Sequence, residues 1–105
     1  MKYGFSDKQL QEIIDILSSY SQIEKAIIFG SRATNTYKKS SDVDIAIKGK
    51  KATWLLMATL KDHFEEKTYL PFFFDFIAYP TITNEALKKH IQTKGIIVYC
   101  KEDKV

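Results

Sequence analysis

The sequence is poor in the features that mark secreted and membrane proteins. Its 105 residues include 1 cysteine, Cys100, which excludes an internal disulfide and is typical of a reducing compartment such as the cytoplasm. No apolar run approaches the roughly 20 residues needed to cross a bilayer, and the N-terminus lacks the pattern of a signal peptide. We therefore expect a cytoplasmic protein that contacts no membrane.

Glycine, proline and unbalanced charge are also scarce. The chain has 4 glycines and 2 prolines, and it contains no repeat, low-complexity segment or linker. The net charge of +3 is mild, and the basic residues are not clustered as in nucleic-acid-binding proteins, so a nucleic-acid partner is not expected. With 45% hydrophobic and 28% charged residues, the composition predicts one folded domain over residues 1–105.

Hydrophobic periodicity predicts three helices. Ser6 and Gln9 have the spacing of a capping box, in which each side chain bonds the backbone N–H of the other residue. Thr83 is placed to cap the last helix, and Gly95 suits the position just past its end. The predicted helices cover residues about 6–20, 52–66 and 83–93.

Short apolar and aromatic runs predict a sheet. Four runs have the length and composition of strands, at about 24–29, 42–48, 72–79 and 96–99. The chain order of these elements predicts an α/β (α+β) fold, with a mixed sheet of about four strands and helices packed on one face. Trp54 and the phenylalanines are expected in the core rather than at a base-stacking surface.

An Asp-x-Asp pair opens the second predicted strand. Ten residues separate Ser31 from Asp42, and Asp44 follows two positions later. Because side chains alternate along a strand, Asp42 and Asp44 project from the same face, about 6.6 Å apart along the backbone. Two carboxylates on one face are unfavourable unless a cation lies between them, and a divalent metal ion is the usual cation.

A Gly-Ser pair follows the first predicted strand. Gly30 allows the backbone to approach a ligand closely, and Ser31 can open a helix whose free N–H groups suit phosphate. A phosphate-binding turn next to metal-binding carboxylates favours metal-assisted transfer of a nucleotide.

A third carboxylate lies in the aromatic run. Asp75 is flanked by phenylalanines and shares its strand face with Ile77. If it is buried there, it must be paired, metal-bound or protonated. To share a metal with Asp42 and Asp44, its strand must lie beside theirs, with the carboxylates on one open face.

Each of these features also has a simpler interpretation. Gly30 and Ser31 could merely turn the chain and cap a helix, while Asp42 and Asp44 lie on a solvated strand face. Asp75 could belong to an edge strand and point at water. His63 and His90 lie on predicted helices without ligand-like spacing, so they are expected to be surface or partly packed residues.

The two motifs resemble those of the polymerase-β-type nucleotidyltransferases. The matching segments are FGSRA at residues 29–33 and SDVDI at residues 41–45. In particular, the chain resembles the small, stand-alone minimal nucleotidyltransferases (MNT). Members of this family often have glycine where this chain has Asn35, which tolerates the same left-handed backbone.

The resemblance implies a metal-dependent enzyme that transfers AMP, or another nucleotide, from a nucleoside triphosphate such as ATP. An acceptor oxygen would attack the α-phosphorus in line, and pyrophosphate would leave. Two Mg²⁺ ions would neutralise the phosphates, and Asp75 would bind the ion nearer the acceptor and help to deprotonate its hydroxyl. The implied residues are Asp42, Asp44 and Asp75 as catalytic metal ligands, and Gly30, Ser31 and Arg32 at the nucleotide, whereas Lys38 and Lys39 are expected to be solvated.

The resemblance also implies a partner. MNT proteins usually pair with a helical HEPN protein as antitoxin and toxin, and the antitoxin adds AMP to a tyrosine of the toxin. The sequence has the nucleotide half of an active site and no evident acceptor half, so a homo- or hetero-oligomer could complete it. Two alternatives remain open. One is a non-catalytic module that inhibits a partner by contact. The other is a small-molecule nucleotidyltransferase of the aminoglycoside type, which would require a further helical domain or a dimer.

Overall fold

The computed structural model describes residues 2–101, which form a four-stranded sheet and three α-helices. The helices are α1 (Asp7–Ser18), α2 (Trp54–Glu66) and α3 (Glu85–Lys94). The strands are β1 (Lys25–Phe29), β2 (Val43–Lys48), β3 (Phe74–Ala78) and β4 (Ile96–Cys100). The predicted α+β class and mixed sheet are confirmed. Within the described residues, no helix has the length and apolar character of a membrane span.

Side-chain caps set where the helices begin. The predicted capping box is present, because Ser6 Oγ accepts from the Gln9 N–H at 3.1 Å and Gln9 Oε1 accepts from the Ser6 N–H at 2.9 Å. The cap of α3 is Asn84, not Thr83 as predicted, since Asn84 Oδ1 accepts from the Leu87 N–H at 3.1 Å. Threonine and asparagine are both good N-caps, so neighbouring candidates compete and the helix begins later than expected.

The sheet has the strand order β3-β2-β1-β4. β1 pairs antiparallel with β2 and β4, whereas β2 and β3 are parallel and are connected through α2. In the parallel pair, Asp44 lies directly opposite Asp75. Residues in register on neighbouring strands project from the same face. The predicted adjacency of the strand that carries Asp75 and the strand that carries Asp44 is therefore confirmed.

Helices cover both faces of the sheet. α1 and α2 form the larger core with one face, as expected. α3 departs from the expected one-sided arrangement, because Ile82 and Ile91 pack against Ile27 and Ala46 on the other face. Ile27 and Ile28 are consecutive and both buried. Since consecutive strand residues face opposite ways, this pair requires apolar cover on both sides.

The aromatic residues divide between the core and the surface. Phe64 and Phe74 are fully buried, with ring centroids 4.6 Å apart. Trp54, in contrast, is 78% exposed and Phe73 is 70% exposed. The expectation that Trp54 lies in the core is wrong, because it is the first residue of α2 and the buried positions of that helix begin at Leu56.

Gly95 provides a test of the packing around α3. Its backbone is extended, with φ −65° and ψ 150°, so it is space and not conformation that requires glycine. A Cβ at this position would lie 2.3 Å from the Ile91 carbonyl oxygen and 2.6 Å from Ile27 Cγ2. We expect Gly95→Ala to lower the free energy of unfolding by about 1–3 kcal/mol in urea denaturation. Lys94→Ala, at an exposed neighbour, is the control. Equal stability of Gly95→Ala and the parent would contradict this packing.

Candidate active site

The Gly30–Ser31 turn lies directly after β1. Gly30–Arg32 form a single turn of 3₁₀ helix, so the helix that Ser31 was predicted to open is only 3 residues long. Gly30 has φ +75°, and a Cβ there would lie 2.6 Å from Asp44 Oδ2. Glycine is therefore required both by the left-handed backbone and by the close approach of the carboxylate. A turn this short would bind phosphate through individual N–H and hydroxyl groups, not through a helix dipole.

Three carboxylates occupy the sheet next to this turn. Asp44 lies opposite Phe29 in β1 and opposite Asp75 in β3, and Asp42 immediately precedes β2. Burial, followed by the charges of Asp75 and Asp42, raises the pKa of Asp44 above its ordinary value. The three acids therefore interact electrostatically, as the site interpretation requires.

Asp75 is held by α2. Its Oδ1 lies 3.5 Å from Lys61 Nζ, and its side chain is 58% exposed. Lys61 Nζ also donates to the Phe74 carbonyl oxygen at 2.7 Å and to Glu65 Oε2 at 3.1 Å, which anchors it beside the edge strand. The exposure of Asp75 on an edge strand agrees with the simpler interpretation of this residue. Its register opposite Asp44 agrees with the site interpretation.

The acids fit a divalent cation by donor type and by charge. Carboxylate oxygens are the ligands that Mg²⁺ prefers, and a cation beside Asp44 would offset the burial and the neighbouring negative charges that raise the pKa of this residue. Among residues 2–101, no three His, Cys, Asp or Glu side chains are gathered closely enough to enclose a metal ion. Asp44 and Asp75 lie opposite each other on two neighbouring strands, and Lys61 pairs with Asp75.

Arg32 lies behind the turn rather than at its surface. It is 2% exposed, and its Nη1 and Nη2 donate to the carbonyl oxygens of Tyr3 at 3.0 Å and Ser41 at 2.8 Å. Arg32 was predicted to lie at the nucleotide, but its charged group is buried and two of its nitrogens are already bonded, so a direct contact with phosphate would require these bonds to break. Arg32 instead connects the N-terminal turn to the segment that leads into Asp42.

Aromatic rings surround the Arg32 guanidinium group. Its carbon lies within 5.2 Å of the ring centroids of Phe5, Tyr37 and Phe72.

His90 is a neighbour of the site that the sequence did not reveal. Its Nε2 accepts a hydrogen bond from the Gly30 N–H at 2.9 Å, and its ring meets Phe29 edge to face at 6.3 Å. His63 bonds the Tyr20 hydroxyl instead, at 2.6 Å. Because 60 residues separate His90 from Gly30, no local motif connects them. The contact could have been found only by placing α3 on the correct face of the sheet, whereas all helices were predicted to lie on one face.

A protein-family comparison decides the broader class of this fold. The model of the polymerase beta nucleotidyltransferase family matches residues 11–104. The chain belongs to the polymerase beta nucleotidyltransferase family. The resemblance found in the sequence is thereby confirmed, and the Gly-Ser turn and the Asp-x-Asp strand belong to a nucleotidyltransferase domain. No curated protein matches the chain.

Solved structures with the same fold include MNT antitoxins in complex with HEPN toxins. A toxin–antitoxin structure with AMP-PNP matches at 20% identity and a TM-score of 0.65, over 90% of this chain and 76% of that chain. The MntA–HepT toxin–antitoxin matches at 16% identity and a TM-score of 0.61, over 93% and 75%. A structure of the tri-AMPylated Shewanella oneidensis HEPN toxin in complex with MNT antitoxin matches at 17% identity and a TM-score of 0.58, over 90% and 71%. At these identities the likeness shows the fold.

The buried position of Arg32 predicts a structural effect of its substitution. Arg32→Lys should lower the free energy of unfolding by about 2–3 kcal/mol, because lysine keeps the charge but lacks the fork that bonds two carbonyls. Gly4→Ala should act in the same direction, since Gly4 has φ +87° and a Cβ there would lie 2.2 Å from Arg32 Nη1. Chemical denaturation measures both effects, with exposed Lys38→Ala as the control. Unchanged stability of Arg32→Lys would show that the two carbonyl bonds contribute nothing.

The raised pKa of Asp44 predicts a pH-dependent stability. Because the folded state disfavours ionised Asp44, this residue contributes a loss of stability as the pH rises from about 3.8 through its raised pKa. Asp44→Asn does not titrate, so it should be more stable than the parent by about 0.5–1 kcal/mol at neutral pH, with the gain vanishing near pH 3. Thermal unfolding at both pH values measures this difference, with exposed Asp15→Asn as the control. A gain that is equal at both pH values would contradict the assignment.

Proposed function

We propose that this chain transfers AMP from ATP to an acceptor hydroxyl, with Asp42, Asp44 and Asp75 as its catalytic metal ligands. One observation carries the proposal. Asp44 lies in register with Asp75 on the neighbouring strand, and Gly30 of the adjoining turn packs against the Asp44 carboxylate. This arrangement brings a turn suited to phosphate next to carboxylates suited to a divalent cation.

The Gly30–Ser31 turn is the proposed phosphate-binding element. Its left-handed glycine lets the backbone come close to a ligand, and the Ser31 hydroxyl and N–H can donate to phosphate oxygens. Arg32 supports this element from behind through its bond to the Ser41 carbonyl, and does not contact the phosphates itself. The turn would therefore position the triphosphate, and the acids would lie near its α-phosphorus, which the acceptor oxygen attacks.

The acids have two proposed tasks. Asp42, Asp44 and Asp75 would hold Mg²⁺, which when bound neutralises charge on the phosphates and favours loss of the proton from the acceptor hydroxyl. The side chain of Asp75 is 58% exposed, so an acceptor can reach its carboxylate. Asp75 would accept the proton of the attacking hydroxyl.

The transfer itself is an in-line substitution. A bond forms between the acceptor oxygen and the α-phosphorus, while the bond from the α-phosphorus to the oxygen that bridges it to the β-phosphorus breaks. Pyrophosphate leaves with that electron pair, and the acceptor proton passes to the Asp75 carboxylate. The contribution of the protein is to position the groups and to stabilise charge, because the nucleophile belongs to the acceptor.

We further propose that the acceptor is a tyrosine of a helical HEPN partner, with this chain as the antitoxin of a toxin–antitoxin pair. Two structural neighbours support this proposal, one described with AMP-PNP and one as a tri-AMPylated HEPN toxin with MNT antitoxin. The exposure of Asp75 at a sheet edge suits an acceptor that enters from another molecule. A tyrosine hydroxyl, with a pKa near 10, requires a base or a metal to react at neutral pH.

Intact-mass spectrometry tests this proposal. The chain, ATP, Mg²⁺ and a HEPN protein encoded beside it should yield a partner that carries one or more AMP units, located on tyrosine by peptide mapping. Asp44→Asn should slow the transfer on the order of 10³-fold, because it removes a carboxylate from the metal site. Exposed Asp15→Asn should transfer at the parent rate. A tight complex without a mass change, and equal inhibition by the Asp42→Ala/Asp44→Ala double variant, would show that the chain inhibits by contact alone.

A further inference from the structure

We propose that His90 is a positioning residue, which holds the Gly30–Ser31 turn in the conformation that receives the triphosphate. The inference rests on the proposed function for the identity of the ligand, but the contact itself is a property of the chain. His90 Nε2 lies 2.9 Å from the Gly30 nitrogen. No sequence motif indicates a role for this histidine. It reaches Gly30 because α3 packs on the same face of the sheet as Asp44.

The backbone N–H and the backbone carbonyl of Gly30 are both hydrogen-bonded. The ladder between β1 and β2 ends with the pair Phe29 and Asp44, so the next N–H, that of Gly30, lies beyond it. His90 accepts from this N–H, while the Gly30 carbonyl accepts from the N–H groups of Ala33 at 3.1 Å and Thr34 at 3.2 Å. These bonds set the orientation of the two peptide groups that flank Gly30, a residue that has to keep φ +75° beside the Asp44 carboxylate.

The histidine is itself well anchored. Nε2 accepts the bond, so this nitrogen carries no proton and the ring proton lies on Nδ1. The ring meets Phe29 edge to face at an interplanar angle of 76°, and Ile91, the next residue of α3, is 2% exposed in the smaller core. His90 thus connects a packed helix to the turn, and a shift of this helix would shift the phosphate-binding groups.

The bond between His90 and the Gly30 N–H determines which groups of the turn remain free to bind phosphate. Because the Gly30 N–H is used by His90, the phosphate contacts of the turn fall to Ser31 and the residues after it. Loss of the acceptor should therefore weaken nucleotide binding rather than the chemical step. A lost hydrogen bond of about 1 kcal/mol corresponds to roughly a 5–10-fold rise in KM for ATP, with kcat changed by less than about 2-fold.

NMR tests the contact without any ligand. The chain has 4 glycines and 2 histidines, so ¹⁵N labelling of these two residue types gives few signals. We expect a scalar coupling across the hydrogen bond between the Gly30 amide nitrogen and His90 Nε2. His90→Leu should abolish the coupling and speed amide exchange at Gly30. His90→Gln, which offers Oε1 as an acceptor, should keep that exchange slow. Absence of the coupling in the parent, with equal exchange in all variants, would overturn the proposal.

Steady-state kinetics test its link to the nucleotide. His90→Leu should show the rise in KM for ATP at nearly unchanged kcat, and His90→Gln should restore KM to within about 2-fold of the parent. His63→Leu is the matched control, because it removes a histidine whose hydrogen bond is to Tyr20 and not to the turn. Equal KM values for His90→Leu and the parent would overturn the positioning role. If the parent itself transfers no nucleotide, the proposed function fails, while the NMR coupling still decides whether His90 holds Gly30.

Discussion

The partial burial of Asp44 beside the negative charges of Asp75 and Asp42 is the constraint on which the candidate site depends. Parallel pairing of β2 and β3 brings Asp44 opposite Asp75, and burial together with the neighbouring acids raises the pKa of Asp44. Such an arrangement lowers the stability of the isolated chain, and it is typical of a site that a cation completes. Lys61 offsets part of the charge from the side of α2, where it pairs with Asp75.

The supports of the site come from parts of the chain that are distant in sequence. Arg32 connects the N-terminal turn to the segment before Asp42 and is enclosed by aromatic rings from three segments. His90 connects α3 to Gly30 from the other face of the sheet. The turn is therefore held between the two cores, and the position of the proposed phosphate-binding groups depends on the packing of both. The family match shows that these supports belong to a nucleotidyltransferase domain, in which β3, the strand that carries Asp75, lies at one edge of the sheet.

Features that depend on nearby residues were predictable from the sequence. The capping box at Ser6 and the left-handed backbone of Asn35, at φ 62°, both follow from local spacing, whereas the register of Asp44 opposite Asp75 joins two strands that are distant in sequence. The burial of Arg32, the bond of His90 to Gly30 and the face covered by α3 depend on contacts between distant segments, so periodicity could not reveal them. The consecutive residues Ile27 and Ile28 of β1 did indicate that both faces of the sheet are covered, since neighbouring strand residues face opposite ways and both are buried.

The central claim is that the turn and the three acids form one nucleotide site, and paramagnetic NMR tests it most directly. Mn²⁺ replaces Mg²⁺ at such sites and broadens the signals of nearby nuclei, so it can be titrated together with an ATP analogue that cannot be cleaved. If the site is as described, the amide signals of Ser31, Asp44 and Asp75 should broaden together. The signals of Lys25 and Lys48, which pair at the opposite end of β1 and β2, should broaden much less. Broadening that spares Asp75, or that centres on the Lys25–Lys48 end, would contradict the claim.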